Sequence, residues 1–319
     1  MRISFSKSVT ESLLAKIRSG EMMSRNEKFN LIIQLSIPSI LAQVTTVLMF
    51  YIDAGMVGSL GAEPSAAIGL VEPATWLFFS LVSAVTMGFS VQVAHFIGAN
   101  DFAKARAVMR HGYIFGLCFA LFLLLITFLI GYRLPVWLGG GADIQHDATV
   151  YFLIFSLIIP FHLIEYMSAA MLKVSGDMRR PSFMAILMCV LDVIFNYFFI
   201  FPTRTVSLLG VEMTMPGLGE GVAGAALGSL LSFVCVALPL AYYAIFRSPI
   251  LAWKQDVERF VWRWQYIWNA MKIGAPMALQ YLLMNGAQLV STMIVAPLGN
   301  IAIAAHSFAI TAESLCYMP

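Results

Sequence analysis

Five carboxylates stand inside long apolar stretches of the sequence: Asp53, Glu72, Glu165, Asp192 and Glu313. An ionisable group at mid-bilayer costs at least ~2.5–3.5 kcal/mol on insertion scales, so such groups mark function by default. No lysine or arginine lies deep enough in these stretches to neutralise them. Each acid must then meet a cation, take a proton or face water. Asp192 and Asn196 are four residues apart and share one helix face. His162 and Glu165 are three apart, which predicts a mutual pair, and His306 and Glu313 are seven apart on one face. Glu72 precedes Pro73, whose missing N–H frees a carbonyl and kinks a helix. Other chemistry is not indicated. The sequence contains neither G-x-x-x-x-G-K-[ST] nor H-E-x-x-H, and no nucleophile–base set. Cys118, Cys189, Cys235 and Cys316 are scattered through apolar segments without a C-x-x-C, so they read as small buried hydrophobes rather than a disulfide framework or zinc site. We therefore expect no enzyme and no cofactor.

The elements that carry these acids are long. Of 319 residues 60% are hydrophobic and 11% charged, against about 25% charged in an ordinary soluble domain. That excludes a soluble globular protein and, more firmly, a disordered one. A spanning helix needs ~20 mostly apolar residues. Eight such stretches occur, over 31–60, 65–96, 108–132, 147–172, 181–202, 221–246, 267–297 and 301–319. The strands of an outer-membrane barrel would be about half this length. Basic residues fall in alternate connections: seventeen of the nineteen lie in the N-terminal segment and in the loops after spans two, four and six, leaving Arg133 and Arg204 opposite. By the positive-inside rule this places the N-terminus in the cytoplasm. The net charge of +2 says nothing about nucleic acid, and none is expected as a partner. Residues 1–30 lack the apolar core of a signal peptide and read as a partly helical cytoplasmic segment. Near 258–272, Trp262, Trp264 and Trp268 mix with basic residues, as in a helix start lying among headgroups.

The sequence also repeats itself. With an offset of 238, Pro38 pairs with Pro276, Leu41 with Leu279, Val57 with Val295, Leu60-Gly61 with Leu298-Gly299 and Ala66-Ala67 with Ala304-Ala305. Six spans separate the copies, and an even number makes the repeat parallel, with its axis along the membrane normal. We read residues 31–246 as one six-helix lobe, 247–266 as a cytoplasmic inter-lobe loop, and 267–319 as the first two helices of a second lobe cut short.

Five segments in order resemble the multidrug and toxic compound extrusion (MATE) family of secondary transporters: IDAGMVGSLG at 52–61, AHFIGANDFAKARAVMRHG at 94–112, KVSGDMRRP at 173–181, GVAGAALGS at 221–229 and APLGNIAIAAHSFA at 296–309. The resemblance implies an all-α integral membrane protein of twelve helices in two six-helix lobes, about eight of them present here. It implies export of organic cations against inward H+ or Na+. Asp53 matches the acid of the family's span-one motif, implying a coupling role. Ser229 matches a hydroxyl position in the span-six motif. Asp53, Asp192, Asn196 and Ser229 together offer the oxygens a hard cation such as Na+ wants, or, with no cation, a proton site. The family often carries Asn before the acid in span five, and here the order is reversed. Glu72 is a candidate for the substrate cavity. Some members place an acid about eight residues after the proline matching Pro276; here Met284 and Asn285 occupy that region of the candidate cavity.

The expected function is an antiporter for amphipathic cations working by alternating access, monomeric when complete, in the cell (inner) membrane. The alternatives are a lipid-linked sugar flippase on a related fold, disfavoured because the embedded charges are acidic, and a non-transporting scaffold or sensor, which explains neither the repeat nor the acids.

Overall fold

The first long helix, α1 (Arg25–Gly58), begins ahead of the apolar run because Ser24 and Glu27 form a capping box. The Ser24 hydroxyl accepts from the Glu27 amide at 3.2 Å, and the Glu27 carboxylate accepts from the Ser24 amide at 2.9 Å. The computed structural model describes residues 12–13, 16, 21–208, 211–255 and 260–317, so most of the expected N-terminal segment lies outside the described residues. Helices α2 (Ala62–Gly98) and α3 (Phe102–Gly131) follow, then the short α4 (Leu134–Trp137). Next come α5 (Gln145–Ser156), α6 (Ile158–Val174), α7 (Arg179–Ile200) and α8 (Gly221–Tyr242). Helices α9 (Trp264–Val295) and α10 (Asn300–Tyr317) complete the order. Among the described residues, six helices are long and apolar enough to cross a membrane. The pair α5 and α6, bent by 40° at Leu157, makes a seventh. Pro160 accounts for the bend, since it cannot donate to the carbonyl of Ser156. The eighth expected span corresponds in position to α10, which is not among these candidate spans.

One feature departs from the helical expectation. Between α7 and α8 the chain forms an antiparallel hairpin, β1 (Pro202–Leu208) and β2 (Val211–Leu218), paired from Leu208 with Val211 to Pro202 with Leu218. A hairpin satisfies its own backbone hydrogen bonds in a connection too polar to span.

The repeat is visible in the backbone. Gly61 and Gly299, 238 apart, both have positive φ (121° and 100°), and each precedes the first residue of a helix, Ala62 and Asn300. Only glycine adopts that conformation without strain.

Helix α2 is the central element. Its buried face is built from small residues, among them Ser65, Ala66, Ala67, Gly69, Ala74, Ala84, Gly88 and Ser90. Small residues let neighbouring helix backbones approach closely in a membrane protein. Against the Gly98 end of α2 lies α9: a Cβ on Gly88 would overlap the Ala270 carbonyl, and one on Gly274 would stand 2.9 Å from that of Ala84. Gln92 Nε2 donates to both Gly88 O (3.2 Å) and Tyr266 O (3.0 Å) across the same junction.

Trp264 and Trp268 project outward, 70% and 60% exposed, as interfacial anchors would. Trp262 instead turns inward onto His111, with ring centres 4.9 Å apart. Glu258 lies outside the described residues. The cysteine expectation holds only in part: Cys189 is buried, whereas Cys118 and Cys235 lie on outward faces. A thiol is apolar enough to face lipid, so position in an apolar span did not decide burial. The side chain of Cys316 is outside the described residues.

Candidate functional site

Helices α1, α7 and α8 bring the predicted coupling residues together. Helix α8 carries Gly224 and Gly228 on one face, and both lie directly against α7. A Cβ on Gly224 would stand 2.9 Å from the Ile200 backbone nitrogen, and one on Gly228 the same distance from that of Asn196. This small-x-x-x-small crossing fixes the depth of α7. It places Asp192 and Asn196 inside the bundle, each 1% exposed.

The Asn196 side chain is the hub. Its Nδ2 donates to Asp53 Oδ1 at 3.0 Å and to Asp192 Oδ2 at 2.9 Å. Two carboxylate oxygens bonded to one nitrogen lie within about 6 Å of each other. Asp192 also accepts from Ser232 Oγ at 3.1 Å, and the Ser229 side chain reaches the same carboxylate. Asp53, Asp192, Asn196 and Ser229 therefore meet in one cluster. Ser232 is a fifth member that the sequence reading missed, although it lies three residues beyond Ser229 on the same helix face. The amide shows its nitrogen to both acids, while its Oδ1 is buried without a hydrogen bond.

The cluster opens on a cavity of about 330 Å³ lined by Asp53, Asn196 and Ser229 but also by Glu72, Glu165 and several aromatic rings. Glu72 accepts from Trp76 Nε1 at 3.3 Å and from Ser307 Oγ at 3.0 Å, so this acid joins α2 to α10. Three other expectations are corrected. His162 does not pair with Glu165; it stacks on Phe79 with centres 4.5 Å apart, and neither ring nitrogen makes a hydrogen bond of ordinary geometry. Met284 and Asn285 do not line this cavity. Met284 is 48% exposed, and Asn285 donates to Ser80 Oγ at 3.1 Å and to Tyr281 O at 3.0 Å. Rotation about the α9 axis decides this, and a lone proline offset does not specify it. His306 and Glu313 do not share surroundings: His306 Nε2 is buried, whereas Glu313 is exposed.

Comparison with known proteins places the chain. A family model described as MatE matches residues 38–198, half of the sequence. The chain belongs to the MatE family. Curated relatives of this MatE protein include a probable multidrug resistance protein NorM of Neisseria meningitidis serogroup A, 24% identical over 295 residues, covering 92% of this chain and 61% of the relative. Another is the multidrug export protein MepA of Staphylococcus saprophyticus, 22% identical over 283 residues, covering 88% of this chain and 59% of the relative. The chain thus spans about 60% of the length of these curated relatives. Among solved structures, an inward-facing multidrug resistance MATE family transporter has a TM-score of 0.74 at 22% identity, over 84% of this chain and 58% of that one. An outward-facing structure described in the same words reaches 0.72 at 21% identity, over 97% and 68%. The shared fold makes this MatE-family chain a helical, multi-pass integral membrane protein.

Proposed function

We propose that this protein is a secondary antiporter exporting amphipathic organic cations, with Asp53, Asp192, Asn196 and Ser229 as the coupling site. The observation that carries the reading is the single Asn196 amide bridging two acids beside an aromatic cavity. Two carboxylates this close in a dry setting cannot both stay bare without a counter-charge, so the pair takes up a proton or a cation. The orientation of the amide favours the proton. Its nitrogen, not its oxygen, faces the acids, and a bare Na+ between them would meet a donor where it needs an acceptor.

The reading includes a cytoplasmic N-terminus in the inner membrane, from the distribution of basic residues, and lobes divided at 247–266. Substrate would enter the cavity when it faces the cytoplasm, and proton uptake at Asp53 and Asp192 from outside would drive its release. Names borne by the relatives, multidrug resistance protein and multidrug export protein, support a broad cargo range. The test is reconstitution of the protein into liposomes. An imposed pH gradient should drive ethidium transport, and a Na+ gradient at equal pH should not. Transport driven by Na+ alone would replace the proton by Na+ in this scheme.

A further inference from the structure

The cavity has a second acidic end. Glu165 on α6 lines it, on the side of Lys173, and among the described residues no hydrogen bond or ion pair reaches its carboxylate. The other two acids in the lining are engaged, Asp53 by Asn196 and Glu72 by Trp76 and Ser307. Lys173 is eight residues along the same helix, about 12 Å away in rise, and makes no salt bridge to Glu165. A carboxylate held inside an apolar bundle with no hydrogen-bonded or ion-paired partner, the Lys173 charge acting on it only from a distance, is a place for an external cation.

A ladder of rings joins the two ends. Tyr151 stacks on Phe155 (5.2 Å, 20°), Phe155 on Phe79 (5.4 Å, 20°) and Phe79 on His162 (4.5 Å, 15°). His162 then meets Tyr166 at 5.6 Å and 35°. All five rings line the cavity. Tyr151 lies in the electrostatic field of Glu72 and Asp53, whereas Tyr166 lies in that of Glu165. Three helix segments build the ladder: α5 supplies Tyr151 and Phe155, α2 supplies Phe79, and α6 supplies His162 and Tyr166. The 40° bend at Leu157 sets the planes of the α5 and α6 rings. Ring faces attract cations and offer stacking area to flat aromatic molecules.

We propose that Glu165 anchors a second subsite of the cavity, at the far end of this five-ring ladder from Asp53, and that the subsite takes planar aromatic cations. The inference rests on the export reading and adds where cargo is held. A flat cation pairs with Glu165 through its charge and stacks through its π-face on Tyr166, the terminal ring of the ladder, which is 39% exposed. It then has a continuous aromatic path towards Glu72 and the coupling acids.

The experiment is a fluorescence titration of ethidium, a planar cation, on the protein in nanodiscs of neutral lipid. Glu165→Gln should weaken binding at least tenfold, and Glu165→Asp should restore most of it, since charge rather than shape is the requirement. Phe79→Leu, which interrupts the ladder, should weaken ethidium several-fold more than it weakens the non-planar cation tetraphenylphosphonium. Glu313→Gln, outside the cavity, should bind as the unaltered protein does. Normal ethidium binding by Glu165→Gln would overturn the subsite and leave the export reading standing. Equal losses of both probes in Phe79→Leu would overturn the ladder as a recognition surface. Failure of the unaltered protein to bind either cation would overturn the export reading, and the subsite with it.

Discussion

Gly228 stands where α8 crosses Asn196, and a Cβ there would overlap Oδ1 of Asn196 and lie 2.9 Å from its backbone nitrogen. The missing side chain of one residue gives the hub amide of the proposed coupling site its place. Gly228→Ala should therefore damage the site without touching a charge. Overpacking of this kind costs about 1–3 kcal/mol, and export should fall at least tenfold as Asn196 is displaced. Gly286→Ala is the control, because nothing lies within 4 Å of a Cβ at that position. Transport assays on both variants, with membrane levels measured in parallel, check this.

Asp53→Asn keeps size and hydrogen bonding but removes the titratable charge. Proton-driven export should collapse by two orders of magnitude or more, while membrane insertion persists, since an amide is no harder to insert than a carboxylate. Export at the normal rate from a normally expressed variant would remove Asp53 from the coupling role.

Asp192 contacts Asn196 and Ser232 and sits behind Asn196 rather than in the cavity lining. If the two acids share one proton, Asp192→Asn should cost nearly as much as Asp53→Asn. The double variant should then lose little more, because residues acting as a unit fail together. Independent, multiplying losses would show that Asp192 serves only packing. Asn196→Ala belongs to the same series. It should resemble the acid variants, since it leaves both carboxylates without their shared donor.

Asn300 at the start of α10 donates through Nδ2 to Asp143, in the connection between α4 and α5. Beside this contact, Ala296 and Ile303 pack into a cluster with Leu70, Leu138 and Ile144. The proposed alternating access requires such a seam to open. Cysteines at 143 and 300, oxidised to a disulfide, should stop export, and a reductant should restore it. Undiminished transport by the cross-linked protein would mean that this seam does not move.

Orientation has a direct check. A single cysteine at Gly61 should react with an impermeant thiol reagent added outside the cell, and one at Arg179 should react only after permeabilisation. The opposite pattern would invert the topology read from the basic residues.

The sequence by itself determined the class of protein, the places of the helices and the internal repeat, because these depend on composition, run length and local backbone chemistry. Sixty per cent apolar residues leave few choices but a membrane bundle, and Gly61 and Gly299 mark equivalent turns because only glycine holds a positive φ easily. Motif resemblance also pointed to Asp53, Asp192, Asn196 and Ser229, which the tertiary structure brings into one cluster. What only the tertiary structure decided is the rotation of each helix and the identity of its neighbours. Lipid-facing and bundle-facing positions are equally apolar, so no hydrophobic stripe records which side turns inward. For that reason His162 stacks on Phe79 instead of pairing with Glu165, Met284 lies off the cavity, Cys118 and Cys235 are exposed, and Ser232 joins the site unannounced. The ring ladder is likewise absent from any pattern in the sequence. It needs Phe79 to slot between Phe155 and His162 from a different helix, and the bend at Leu157 to align them.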